Sequence, residues 1–186
     1  AYAAGKITGY PSERVIGTGT ELDSMRLRHF TAQVLDLNAT ELEIQVIGEH
    51  GDSMVPLWSL ATYRGQSLRE ICPALDEELK ATLLHQTKRA GWDIRLAGEH
   101  SCYGIAFSAT RIVETILGHS SAPIKISAEI QDEYGLSGTF LSLPTQLGLR
   151  GIESRIMPSL SSSERSQLEQ SAEIVKKQLD EVDKLL

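Results

Sequence analysis

His50 sits in the turn GEHGDS, where Gly48 and Gly51 flank Glu49 and His50 and let the backbone bend sharply. An imidazole beside a carboxylate is the usual general acid–base device, because the neighbouring charge holds the ring and raises its pKa. A turn histidine alone is ordinarily only solvated, so the carboxylate decides the matter. Asp52 is near in sequence, and Asp23, in LDSMRLR, is a second candidate that a fold can bring near in space. On a helix Asp23 and Arg26 share a face. One reading of that pair is a surface ion pair worth a few tenths of a kcal/mol. The other places Arg26 in a pocket, its planar fork binding a carboxylate through two parallel bonds.

Other chemistries are poorly served. His50 has no HxxxH or cysteine pair with it, so no metal is expected. The lack of GxSxG argues against a Ser–His–Asp hydrolase. GTGTEL at 17–22 looks like the opening of a dinucleotide fingerprint, but Leu22 stands at the third glycine and no acidic residue ends a second strand at the right distance. A turn before a helix explains its glycines better.

The elements that must position these groups alternate between helix and strand. Residues 1–9 read as a helix closed by Gly9, Arg14–Gly17 as a short strand, and Thr20 to Asp36 as a helix carrying Asp23 and Arg26. ELEIQVIG alternates, with Leu42, Ile44 and Val46 on one face, and leads into the His50 turn. A strand follows at Met54–Trp58, then an irregular stretch to residue 73, a helix from Ala74 to Gly91, and a buried helix over Ser101–Leu117. Strands are expected at Pro123–Ile130, Thr139–Leu143 and Ile152–Met157. Ser161-x-x-Glu164 is a capping box opening a last helix, with Leu168, Ala172, Val175 and Leu179 spaced for docking or a short coiled coil. Strands grouped near the end suggest α+β.

Length sets the frame. At about 150 residues per domain, 186 residues make one domain, 1–186. The 41% hydrophobic and 23% charged composition excludes disorder. A net charge of −7 argues against a nucleic-acid partner, but not against a small anionic substrate. No run of about 18 apolar residues exists, so no membrane partner is expected. Cys72 and Cys102, without CxxC spacing, read as buried thiols in a reducing compartment. The opening AYAAGKITGYPSER lacks a signal-peptide layout and an initiator Met and starts in mid-helix, so a piece of a longer polypeptide is expected.

RVIGTGTELDSMRLR followed by VIGEHGDSMVPLWS resembles the NAD-dependent L-lactate/L-malate dehydrogenase family, in its carboxyl-terminal catalytic half. GYPSERVIG, SCYGIAFSATRIVETIL, FLSLP and LGLRGI extend the resemblance along the chain, and TGTELDSMRLR leans to the lactate and L-2-hydroxyisocaproate branch. The resemblance implies twisted antiparallel sheets with packed helices, without the family's NAD-binding Rossmann domain. By position, His50 matches the proton donor–acceptor, Asp23 the carboxylate that orients it, and Arg26 the clamp on the substrate carboxylate. Ser101 falls where the family has a substrate-lining Thr, and Ile105 where an aliphatic side chain packs on the nicotinamide. Arg28 matches an arginine that binds fructose 1,6-bisphosphate in allosteric bacterial members, but Glu43 takes the place of the accompanying His and opposes a phosphate.

The implied activity is interconversion of a 2-keto acid and its L-2-hydroxy acid with NAD. The implied partners are the NAD-binding domain of the same polypeptide and further copies, as a homodimer or homotetramer, in the cytoplasm. A malate dehydrogenase of the same superfamily and a non-catalytic assembly module are the alternatives.

Overall fold

A computed structural model describes residues 1–186. The first helix, α1 (Tyr2–Thr8), closes at Gly9 in the left-handed conformation (φ 64°), as expected. Where a strand was predicted over Arg14–Gly17, the chain makes a 3₁₀ turn, Ser12–Arg14, and meets the sheet only at Gly17, bridged to Ser127. Pro11 starts that turn, and the segment adds only that one bridge to the sheet.

Next come α2 (Glu21–Val34), β1 (Leu42–Glu43), β2 (Val46–Ile47), β3 (Val55–Pro56), β4 (Thr62–Tyr63), β5 (Gln66–Ser67), α3 (Leu68–Ile71), α4 (Glu77–Leu96) and α5 (Cys102–Ile116). The carboxyl-terminal part is β6 (Ile124–Ile130), β7 (Thr139–Gly148), β8 (Gly151–Arg155) and α6 (Ser162–Asp183). Every ladder is antiparallel, in the orders β1-β4-β5, β2-β3 and β6-β7-β8. The class is α+β, as expected, and no parallel pair of the Rossmann kind occurs. No helix is long and apolar enough to cross a membrane.

Three apolar clusters hold these pieces. Leu27 of α2 and Leu83 of α4 meet Leu42, Ile44 and Val46, the alternating face read from the sequence. Leu168, Ala172 and Val175 of α6 cover Ile47, Val55, Leu141 and Leu143. Ile112 of α5 packs with Ile124, Ile126 and Ala128 of β6.

Further expectations need correction. ELEIQVIG is not one strand, because Leu42–Glu43 pairs with β4 while Val46–Ile47 pairs with β3. The stretch 59–73 is not irregular but holds regular elements, a 3₁₀ turn (Trp58–Leu60), the β4–β5 hairpin and α3. The helix expected to stop at Gly91 runs on to Leu96, since one glycine costs only about 1 kcal/mol inside a helix. Finally, α5 is not buried: Tyr103 is 84% exposed, and Phe107, Val113 and Leu117 also face outward. Its apolar side chains exceed what the β6 sheet can cover. The thiols follow suit, with Cys72 half-buried and Cys102 exposed.

The last helix docks on the sheet, and its capping box is complete. Glu164 also accepts from the Ser59 backbone N–H at 2.9 Å and the Ser59 hydroxyl at 2.6 Å. Burial works to raise the Glu164 pKa, but hydrogen bonds from Ser59 and Ser161 outweigh it and hold the carboxyl below the usual range. Glu164→Ala strands these donors and is expected to cost about 2–3 kcal/mol in urea unfolding at neutral pH. Because the folded pKa is depressed, that contribution is present above the unfolded carboxylate pKa and is lost as pH falls through the folded value. The gap between wild type and variant should therefore narrow as pH falls below about 4.

Candidate active site

Hydroxyl groups at the start of α2 fix the site. Thr20 Oγ1 donates to the Val46 carbonyl at 2.5 Å, and the Val46 N–H donates to Ser24 Oγ at 2.9 Å. This clamp sets the first turn of α2 against β2, the strand that feeds the His50 turn. Gly48 (φ 85°) then exchanges two backbone hydrogen bonds with Ser142 of β7, at 2.9 and 2.8 Å. The result brings His50 Nδ1 within 2.5 Å of Asp23 Oδ2.

Asp23 is 1% exposed at its side chain, whereas the His50 ring keeps 58%. With Nδ1 committed to the carboxylate, Nε2 is the nitrogen left for another molecule. The hydrogen bond that Nδ1–H donates to Asp23 raises the His50 pKa above its ordinary value; burial and the Arg26 charge oppose it, and the Asp23 and Glu49 charges add to it. Asp52 is not the partner. Its side chain faces solvent, and its carbonyl accepts from Lys88 Nζ of α4 at 2.6 Å.

Arg26 Nη1 lies 3.8 Å from Asp23 Oδ1, too far for a hydrogen bond, and its side chain is only 16% exposed. It also lies against α4, where a Cβ added at Gly91 would stand 3.5 Å from Arg26 Nη2. The ion pair expected between Asp23 and Arg26 is therefore present, but it is mostly buried and not at the surface. A mostly buried guanidinium in a loose ionic contact keeps donors for a carboxylate.

The first turn of α5 reaches the same end of α2. Gly104 rests on Leu22, and a Cβ there would come within 3.1 Å of Leu22 Cδ1. Ser101 stands at the α5 N-cap with no side-chain cap bond, and Ile105 is exposed one turn on. Asp23 and Arg26 of α2 and His50 of the turn thus converge, and Gly104, which lies between Ser101 and Ile105 in sequence, is the α5 residue in contact with α2.

Arg28 lies apart. It lines a cavity of about 280 Å³ with Glu43, Arg111 and Lys125, so Glu43 does share the space around it. Arg111 and Lys125 are already engaged by Glu21, a buried carboxylate bonded to Arg111 and 2.8 Å from Lys125 Nζ. Glu21 was not legible from the sequence, because a first-turn acid gives no sign of partners about a hundred positions away. Gly19, in the fingerprint-like GTGTEL, is needed for close packing, since a Cβ would stand 2.4 Å from the Lys125 carbonyl.

Residues 20–186 match the model of the lactate/malate dehydrogenase alpha/beta C-terminal domain. The L-lactate dehydrogenase of Moorella thermoacetica is 38% identical over 176 residues, covering 92% of this chain and 56% of that protein. That of Clostridium perfringens is 34% identical over 179 residues, covering 94% and 56%. A minor L-lactate dehydrogenase from Enterococcus mundtii, solved in a ligands-bound form, gives a TM-score of 0.90 at 33% identity, over 97% of this chain and 59% of that one. The chain spans little more than half the length of the relatives it matches.

Proposed function

This chain belongs to the lactate/malate dehydrogenase family, and from that premise we propose that residues 1–186 are the substrate-binding and catalytic domain of a cytoplasmic, NAD-dependent L-2-hydroxy acid dehydrogenase of the L-lactate dehydrogenase kind. The observation that carries it is the buried Asp23 carboxylate 2.5 Å from His50 Nδ1, with the mostly buried Arg26 beside it.

In the reducing direction, Arg26 pairs with the carboxylate of a 2-keto acid and fixes which face of the keto carbon is presented. Protonated His50 donates from Nε2 to the keto oxygen and gives up that proton as the oxygen gains charge. Asp23 holds the imidazole and stabilises its charged form. General acid catalysis of this kind contributes roughly 10²–10⁴-fold, and orientation by Arg26 adds to it. Ser101 offers a hydroxyl to the substrate side chain.

Ile105 fits the nicotinamide end of NAD, while the packed Gly19 backbone leaves GTGTEL no room to cradle its phosphates. When bound, NAD supplies the hydride exchange at the keto carbon. The outward-facing Tyr103, Phe107, Val113 and Leu117 of α5 favour cover by further polypeptide, namely the NAD-binding domain of the same protein and a homodimer or homotetramer mate.

The test is NADH oxidation by pyruvate, oxaloacetate and branched 2-keto acids. Residues 1–186 alone are expected to give no turnover, and the same residues joined to an NAD-binding half are expected to turn over pyruvate. Steady turnover by the 186-residue chain would overturn the division of labour proposed here. Preference for oxaloacetate in the joined polypeptide would make it a malate dehydrogenase, and inactivity toward all these acids would overturn the function.

A further inference from the structure

The turn that carries His50 is held from several sides, and one hold comes from α6. Ser171, midway along that helix and fully buried, accepts the Glu49 N–H at Oγ over 2.9 Å and turns its own hydroxyl to Ser53 Oγ, 3.1 Å away. The Glu49 carboxylate in turn accepts the Ser53 N–H at 3.2 Å and the Ser53 hydroxyl. A serine inside a helix usually faces water or bonds back to its own helix one turn earlier. Ser171 instead reaches the N–H of Glu49, the residue before the histidine. Gly48 makes the approach possible, since a Cβ there would lie 2.9 Å from Ser171 Oγ.

We propose that Ser171 is a positioning residue for His50: its hydroxyl fixes the Glu49 peptide and so sets the distance between the imidazole and Asp23. The proposal rests on the acid–base reading of His50, but the geometric effect can be measured without it. The distance is sensitive, because the turn must deliver a mostly exposed ring to a fully buried carboxylate. The backbone bonds of Gly48 fix one end of the turn and Lys88 meets the Asp52 carbonyl at the other. Ser171 holds the middle, next to the histidine itself.

The charged groups facing His50 are Asp23 and Arg26 from α2, Glu49 within the turn, and Lys88 of α4 at the Asp52 carbonyl. Asp52 itself points to solvent. Ser171 carries no charge. Ser171→Ala therefore removes none of these charges, and a change in the His50 midpoint reports a changed distance between the ring and a charge beside it.

The experiment compares wild type, Ser171→Ala and Ser53→Ala in the full polypeptide that carries these residues. One readout is the pH profile of kcat/KM for keto-acid reduction, and the other is amide hydrogen exchange across residues 48–53. Ser171→Ala is expected to lower the His50 midpoint by about half a pH unit or more, as the contact with Asp23 loosens. Exchange at Glu49 should quicken about tenfold. Ser53→Ala should shift both in the same direction by less, and it decides the matter if Ser171→Ala does not fold. Loss of thermal stability with midpoint and exchange both unchanged would make Ser171 merely structural and overturn the proposal. If wild type shows no turnover, the functional reading fails, and the exchange comparison still decides the role of Ser171.

Discussion

Arg26→Lys is expected to weaken 2-keto acid binding about a hundredfold while NADH binding stays nearly unchanged. The guanidinium is mostly buried between α2 and Gly91 of α4, and its single ionic contact, to Asp23, is 3.8 Å long. Its planar donors are free to make two parallel bonds with a carboxylate. Lysine offers a compact ammonium without that fork, and in the same place it is drawn to Asp23. Losing one charge-assisted hydrogen bond and the alignment of the other costs about 3 kcal/mol, close to 10²-fold in affinity. Calorimetric titration with an unreactive keto-acid analogue, and separately with NADH, checks this. Equal weakening of both ligands would show that Arg26 only supports the fold.

The features legible in the sequence were those set by neighbours along the chain. The capping box at Ser161 and Glu164, the alternation of β6 and the stop at Gly9 each depend on a few adjacent residues, and each forms as read. The site was half legible. Residue types marked His50, Asp23 and Arg26, but the choice of Asp23 over Asp52 depends on Thr20 and Ser24 gripping Val46, a tertiary event. Two kinds of feature were hidden. An apolar pattern reports which side chains avoid water and not what covers them, so α5 reads as a core helix although it lies at the surface. Ser171 and Glu21 act on residues 122 and 90 positions away, and no local pattern marks such a partner.

Asp23→Asn is expected to cut keto-acid turnover by about 10²-fold or more and to move the keto-acid binding profile to lower pH. The carboxylate 2.5 Å from Nδ1 is the main reason that the His50 pKa is raised. Asparagine keeps the shape and a hydrogen bond but removes the charge, so the midpoint falls toward the ordinary histidine value. A raised folded pKa means that the pair stabilises the fold fully below the unfolded histidine pKa, near about 6.5, and loses that contribution as pH rises through the raised value. Keto-acid binding needs the protonated ring and follows the same window, so the variant should hold keto acid only at lower pH. The L-2-hydroxy acid needs the neutral ring, and its binding should extend to lower pH in the variant. Turnover suffers twice, because fewer molecules carry the proton at neutral pH and the cation has lost its buried partner. That loss removes much of the roughly 10²–10⁴-fold that general acid catalysis provides. An NMR titration of His50 in wild type and Asp23→Asn, set beside the two binding profiles, reads all three effects. An unchanged midpoint would mean that Asp23 does not act on His50, and its part in the mechanism would have to be withdrawn.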